Sequence, residues 1–316
     1  MNRNKFHHVY GPVPSRRLGR SLGVDLVPFK TCSYDCVYCQ LGKTSKKTID
    51  RKEYVAIEDV LEELELKLRF EAFPDYISLA GSGEPTLNRG IGHLIHRIKR
   101  LTTVPIAVLT NGSLLWIPEV QESLLEADIV LPSLDAGDEV SFRYVNRPHK
   151  SISFETMAKG LVDFTEVFSG SVWLEVFLLG GVTGASSAVK KIASLANEIG
   201  PERVQLNTVS RPPAEEFAFP VNGKKMQELK KLFPDNVELI TENCLGKVPI
   251  TKQQEANNSD ILALLSRRPC TVQGVSVGLG VNPGEAAKRL QLLNQQGDIK
   301  VVRSNDMIFY EKVGLR

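Results

Sequence analysis

The chain has 316 residues, 42% of them hydrophobic and 24% charged, with a formal net charge of +2. Such a composition belongs to ordinary globular proteins and excludes collagen-like, coiled-coil or disordered chains as descriptions of the whole. No run of about 18 consecutive apolar residues is present, which excludes a bilayer-spanning helix and a membrane partner. The opening MNRNKFHHVY lacks the apolar segment of a secretory signal, so a cytoplasmic protein is expected.

Residues 1–22 read as a basic N-terminal arm. Positions 1–47 carry nine lysines and arginines against Asp25 and Asp35. Arg16 and Arg17 stand in a stretch stiffened by proline and glycine, a pairing suited to bidentate recognition of carboxylate or phosphate. From residue 23 onward, short β-rich apolar runs at 23–29, 76–80, 106–110, 129–133, 172–179 and 204–208 alternate with helical spacing. The helical stretches are 57–70, 91–101, 118–125, 154–168, 188–199 and 223–233; in the first, Val60, Leu61, Leu64 and Leu68 form one stripe.

Six strand–helix repeats with apolar strands imply a parallel sheet covered on both faces. A closed eight-unit barrel needs about 250 residues. The expected fold is therefore α/β, a partial (β/α)6 TIM-like barrel over residues 23–248, with a doubly wound sheet as the competing architecture. Residues 249–258 read as a polar linker. Beyond it, Ser259 is placed to cap a helix at 260–267. Helices at 271–278 and 284–295 and strands at 298–303 and 307–312 follow. That is the element order of a winged helix-turn-helix over residues 259–316.

The five cysteines are an odd count in a chain with no secretory signal, and three of them, Cys32, Cys36 and Cys39, fall within eight residues. Clustered thiols in that setting read first as metal ligands. Their loop follows the first strand of the alternating set, at the end where parallel α/β folds place their chemistry. Gaps of three and two residues suit one face of a [4Fe–4S] cube. A cluster held by protein alone takes four cysteines, so one iron is left for an exogenous ligand. A structural zinc site is the alternative, and it needs a fourth ligand from His7, His8 or a distant cysteine. Cys244 and Cys270 read as buried small hydrophobes.

The CxxxCxxC spacing, with Tyr38 immediately before the last cysteine, resembles the radical S-adenosylmethionine (SAM) superfamily. That resemblance implies a [4Fe–4S] cluster on Cys32, Cys36 and Cys39, SAM on the open iron, and a 5′-deoxyadenosyl radical formed by reductive cleavage. It also implies an electron donor such as flavodoxin or ferredoxin. Gly81-Ser82-Gly83-Glu84 resembles the superfamily's segment that meets the SAM amino group, with GSGE where the family has GGE. By the same resemblance Ser133 meets the methionine carboxylate, and Glu175 or Asn207 the ribose. Tyr38, Thr110, Asn111 and Asp135 complete the expected cofactor site. Polar residues at the ends of several strands converge at one mouth of such a barrel.

Residues 11–23 with the cluster loop and GSGEPTL are similar to the tRNA wyosine-synthase-like branch, although no cysteine precedes Cys32 where those enzymes hold a second cluster. Three functions therefore stand open. The first is a radical SAM enzyme acting on an anionic macromolecule such as tRNA. The second modifies a protein or peptide, and the third is an iron–sulfur DNA-binding regulator. Residues 257–316 hold eight basic against five acidic residues, with Lys288 and Arg289 on the reader helix. That is thin beside the roughly 6–10 phosphate contacts of tight duplex binders.

Overall fold

The computed structural model describes residues 6–70, 74–240, 257–304 and 307–314. It opens on a hairpin, β1 (Val9–Ser15) and β2 (Gly19–Val24), paired antiparallel with Arg16, Arg17 and Leu18 in the turn. The described part of the basic arm expected over residues 1–22 thus supplies sheet, β1 and the start of β2. Pro12 and Pro14 conceal the strand in the sequence, yet β1 is an edge strand, where a missing N–H is tolerated.

A short parallel pair, β3 (Thr31–Cys32) with β4 (Lys46–Lys47), brackets the cysteine loop. The alternating body then runs α1 (Ile57–Phe70), β5 (Tyr76–Leu79), α2 (Ile91–Leu101), β6 (Ile106–Thr110), α3 (Pro118–Leu124) and β7 (Ile129–Pro132). It continues through α4 (Glu139–Val145), α5 (Phe154–Val167), β8 (Ser171–Leu178), α6 (Ser186–Ile199), β9 (Arg203–Thr208), α7 (Gly223–Lys230) and β10 (Val237–Leu239).

The eight strands of the main sheet lie in the order β1-β2-β5-β6-β7-β8-β9-β10, and every pair from β2 to β10 is parallel. An order that never reverses is the winding of a β/α barrel; a doubly wound sheet reverses at a switch point. The register Leu22↔Ile77, Ile77↔Ile106, Val108↔Val130 and Val130↔Val172 puts one apolar row on a single face, and the helices cover it. α2 shows how: Ile91, Leu94, Ile95 and Ile98 are all fully buried at helical spacing, each contributing about 1.5–3 kcal/mol. On the opposite face, Ala107, Ile129, Leu131 and Trp173 close around Leu18 from the hairpin turn.

The C-terminal part is α8 (Asn258–Leu265), α9 (Val272–Leu279) and α10 (Pro283–Gln295), followed by an antiparallel hairpin, β11 (Ile299–Ser304) with β12 (Met307–Lys312). It has its own core around Ile261, Leu265, Val275, Leu290 and Ile299, with Cys270 buried inside and Val13 of β1 packed against it. Asn257, not Ser259, caps α8: its side chain accepts the Asp260 amide while Asp260 returns a bond to the Asn257 amide. The serine lies one position inside the helix because this reciprocal pair satisfies the first turn from Asn257. Cys244 and most of the expected linker lie outside the described residues. Among the described residues, no helix is long and apolar enough to cross a membrane.

The seven-residue α4 depends on its cap. Asp138 accepts the Ser141 amide at 2.8 Å and holds Lys191 Nζ at 2.8 Å. Lys191, then the Ser141 amide, lower its pKa to about 2 from an ordinary 3.8. A depressed carboxyl stabilises the fold above pH 3.8 and loses that contribution as pH falls through about 2. Asp138→Ala should cost about 1 kcal/mol at neutral pH. Urea denaturation at pH 7 and pH 2.5 should show the wild-type advantage shrinking at the lower pH; an equal gap at both would exclude the charged cap as its source.

Candidate active site

Cys32 ends β3, and Cys36 and Cys39 follow on the loop leading to β4. Each sulfur receives a side-chain donor. Lys30 Nζ reaches Cys39 Sγ at 3.2 Å, Asn111 Nδ2 reaches Cys32 Sγ at 3.5 Å, and Asn146 Nδ2 reaches Cys36 Sγ at 3.5 Å. The loop backbone is fixed from three sides. Glu84 N donates to Thr31 O at 3.1 Å, Thr48 N to Cys32 O at 3.0 Å, and Val37 N to Val145 O at 2.9 Å. Tyr34 is buried edge-on against Phe142 of α4, ring centroids 5.4 Å apart.

Burial, with Glu84 adding to it, pushes the Cys32 thiol up to about 12; burial and then Asp135 push Cys36 well above its ordinary value. These sulfurs ionise when a metal takes them, so metal uptake releases protons. Three soft donors on one loop, each with a hydrogen-bond donor in place, fit an iron–sulfur cluster. Cys270, the other cysteine among the described residues, is buried in the C-terminal core. Among the described residues no three His, Cys, Asp or Glu side chains converge as ligands of a single metal ion.

The segment after β5 presses against this loop. Gly81 has φ 128°, and a Cβ there would stand 1.8 Å from Asp25 Oδ1; a Cβ on Gly83 would stand 1.9 Å from the Thr31 carbonyl oxygen. Neither position accepts a side chain, because the backbone itself makes the close approach. Ser82 N donates to Asp25 Oδ1 at 2.6 Å, and Ser82 O accepts from Lys30 N at 2.7 Å. Burial raises the pKa of Asp25, opposed by Arg267 and the Ser82 amide.

Glu84 is fully buried and already engaged four times. It accepts from Thr110 Oγ1 at 2.6 Å, Thr86 Oγ1 at 2.6 Å, Asn111 N at 2.7 Å and Thr86 N at 3.1 Å. The carboxylate ties the ends of β5 and β6 together. Burial raises its pKa, and the Thr110 and Thr86 hydroxyls work against that rise.

Asp135 plays a similar part beyond β7. It accepts from the Tyr38 hydroxyl, from Asn146 Nδ2 at 2.6 Å and from Phe177 N at 3.2 Å, while the Tyr38 ring stacks on Phe177 at 3.9 Å. Asn111 also donates to Ser33 Oγ at 2.8 Å. Ser133 bridges to Glu175 in the sheet, and among the described residues its hydroxyl makes no hydrogen bond. Asn207 Nδ2 donates to Glu175 Oε1 at 3.0 Å, and Arg17 Nη1 lies 2.5 Å from the same oxygen. Burial would raise the Glu175 pKa, but Arg17 and Asn207 bring it below the ordinary value.

Tyr38, Gly81, Ser82, Gly83, Glu84, Thr110, Asn111, Ser133 and Asp135 therefore gather around the cysteine loop. Glu175, midway along β8, and Asn207, near the end of β9, are bonded to each other and border the group through the Ser133–Glu175 bridge. Arg16 and Arg17 stand in the hairpin turn that precedes β2, whereas the cysteine loop follows that strand; Arg17 meets the group through Glu175 Oε1, 2.5 Å from its Nη1. Arg17 turns inward to neutralise Glu175, because a carboxylate facing the inside of the sheet is costly without a counter-charge. Sequence reasoning missed Lys30, Asn146 and Asp25. Lys30 stood two residues before Cys32 and was counted only as charge. Asn146 lies 110 residues from the sulfur it touches, beyond any local motif.

A mostly parallel β/α sheet with a CxxxCxxC loop at its carboxyl end defines a radical SAM protein. The family model described as Radical SAM superfamily matches residues 26–218, and the chain belongs to that superfamily. Its relatives are more specific. It is 35% identical to a UPF0026 protein of Methanocaldococcus jannaschii over 82% of each chain. It is 37% identical to a protein of Brachyspira hyodysenteriae named GTPase Obg, across 97% of this chain but 45% of that one.

The chain thus spans less than half of the Brachyspira protein, and it contains no G-x-x-x-x-G-K-[ST] phosphate loop. UPF0026 relatives replace the wyosine-synthase-like branch expected from residues 11–23, the cluster loop and GSGEPTL; residues 11–23 build a hairpin whose Arg17 forms a partly buried ion pair with Glu175. Streptococcus suis SuiB, solved with its precursor peptide SuiA, shares the fold at 14% identity with a TM-score of 0.52. That match covers 66% of this chain and 44% of SuiB.

The superfamily's cofactors are a [4Fe–4S] cluster and SAM, and the protein is a radical SAM enzyme. When bound, these cofactors supply a 5′-deoxyadenosyl radical, while the protein supplies orientation and exclusion of side reactions.

Proposed function

We propose that this radical SAM enzyme holds its cluster on Cys32, Cys36 and Cys39 and acts on a protein or peptide segment docked at the mouth of a partial barrel. In this reading the Gly81-Ser82-Gly83 backbone receives the SAM ammonium. Glu84, Thr110 and Asn111 fix that backbone, and Ser133 offers its hydroxyl to the methionine carboxylate. Asn207 and Glu175 face the ribose, and Tyr38 and Asp135 hold the cysteine loop. A flavodoxin- or ferredoxin-type donor supplies the electron.

One observation carries the choice of substrate class. Val140, Tyr144, Phe217 and Phe219 are 80%, 49%, 38% and 60% exposed, and the Tyr144 and Phe217 rings lie 5.8 Å apart. This apolar rim borders the cysteine loop: α4 carries Val140 and Tyr144 and leads into Asn146, while Glu215 N donates to Val37 O at 3.0 Å. Exposed aromatic groups of this kind mark surfaces that bind other polypeptides.

Several of the cations that RNA could meet are engaged instead within the protein. Arg17 pairs with Glu175, Arg289 with Glu285, Arg267 with Asp25 and Lys300 with Glu311. A three-helix and hairpin tail of winged-helix type then serves protein docking better than duplex reading.

The test is anaerobic turnover with dithionite and SAM, following 5′-deoxyadenosine. A fractionated peptide pool should raise its formation above the uncoupled rate, and total tRNA should leave it unchanged. Phe217→Ala with Phe219→Ala should remove the stimulation while uncoupled cleavage continues. Stimulation by tRNA that survives both substitutions would overturn the choice of substrate.

A further inference from the structure

Among the described residues, the C-terminal module reaches the candidate SAM segment indirectly, through Arg267 and Asp25. Arg267, at the end of α8, is only 16% exposed and donates from Nε to Asp25 Oδ2 at 3.2 Å. Its Nη2 reaches His7 O at 3.4 Å, and its guanidinium lies over the Tyr10 ring, 4.2 Å from the centroid. Tyr10 in turn stands so close over Gly23 that a Cβ there would be 2.2 Å from the ring. Asp25 is 8% exposed, and its other oxygen, Oδ1, takes the Ser82 amide at 2.6 Å and excludes any side chain from Gly81.

A buried carboxylate with a cation on one oxygen and a backbone amide on the other transmits position. Its two acceptor sites are fixed relative to each other, and neither partner moves without the other's bond lengthening. Ser82 and Arg267 also border the same cleft between the two modules, about 870 Å³ in volume. The contact therefore lies at the junction, where a shift of the C-terminal module is felt first.

We propose that Arg267 is a positioning residue for the SAM site: through Asp25 it fixes the Gly81–Ser82 backbone, so that docking of the C-terminal module sets the affinity for SAM. The inference rests on the reading that Gly81, Ser82 and Gly83 face SAM. It makes the tail part of the cofactor site rather than an appended binding module, and anything that lifts the tail off β1 weakens SAM binding without touching the cysteines.

The experiment uses the whole chain with Arg267→Ala, Arg267→Lys and Asp25→Asn. In cofactor-free protein, hydrogen–deuterium exchange reads the Ser82 amide directly: Arg267→Ala should accelerate its exchange, and Arg267→Lys should restore most of the protection. In anaerobically reconstituted protein, calorimetry should show SAM bound roughly tenfold more weakly by Arg267→Ala. That is the effect of losing one charge-assisted bond. Iron content and kcat for uncoupled cleavage should stay near wild type while KM rises. Unchanged exchange and unchanged SAM affinity would overturn the proposal, as would a fall in kcat and iron content that lysine does not rescue. A wild-type protein that takes up the cluster yet binds no SAM would overturn the reading of the SAM segment itself, and the coupling with it.

Discussion

Cys36→Ala should abolish the cluster and, with it, all 5′-deoxyadenosine formation. Cys36 is one of three sulfurs held on the same short loop, and the described residues offer no replacement: Cys270 is buried in the other core. The loss should exceed the roughly 10–100-fold that removal of an outer-shell partner costs a metal site. Asn146→Ala, which leaves the sulfur in place and strips the amide from Cys36 and Asp135, should fall within that smaller range. Cys270→Ala is the control and should reconstitute to the wild-type iron content. Iron and sulfide analysis with the absorption spectrum of anaerobically reconstituted protein decides the matter. A Cys36→Ala protein that holds wild-type iron in an unaltered spectrum sinks the assignment of the cysteine loop.

The contrast between Cys36 and Asn146 also marks how far the sequence could be read. Ligands packed into eight consecutive residues spell a motif, so the cysteine loop was legible at once. The groups that aim donors at those sulfurs come from Lys30, Asn111 and Asn146, and chain distance hides such partners. The strand–helix alternation was equally plain, because covered strands and amphipathic helices repeat on a fixed period.

Short elements without such a period escaped notice. β10 has three residues, and α4 exposes Val140 and Tyr144 and so shows no apolar stripe. β1 escaped because its prolines read as loop, although an edge strand accepts them. Polar residues at strand ends carry a different ambiguity. Glu84 and Asp135 have the same spelling whether they meet a ligand or a neighbouring turn. Only their bonds show that both are spent on holding other groups in place. The family resemblance picked out residues that lie at or near the cysteine loop, while the bonds among them are a property of packing.

Asp135 should therefore prove to be the residue on which the cysteine loop's order depends. Its two oxygens serve Tyr38, Asn146 and Phe177 together, joining the loop, the end of α4 and β8. Asp135→Ala strands three donors in a buried site, at about 1–3 kcal/mol for each left unsatisfied. Asp135→Asn keeps the size but turns an NH₂ group toward one of those donors, so it should destabilise too, though less. Both variants should lose cluster faster than wild type when an iron chelator is added, because Tyr38 is no longer pinned against Phe177.

The dependence on pH follows from the same burial. It raises the folded carboxyl to about 6 from an ordinary 3.8, with the Tyr38 and Asn146 bonds limiting the rise. A raised carboxyl contributes its linkage stability fully below pH 3.8 and loses it as pH climbs through about 6, a change on the order of 2–3 kcal/mol. Asparagine has no such titration. The stability gap between wild type and Asp135→Asn, measured by urea denaturation, should narrow between pH 4.5 and pH 7.5. A gap that stays constant, or an Asp135→Asn protein that keeps its cluster as long as wild type does, removes Asp135 from this role and leaves the loop held by its backbone bonds alone.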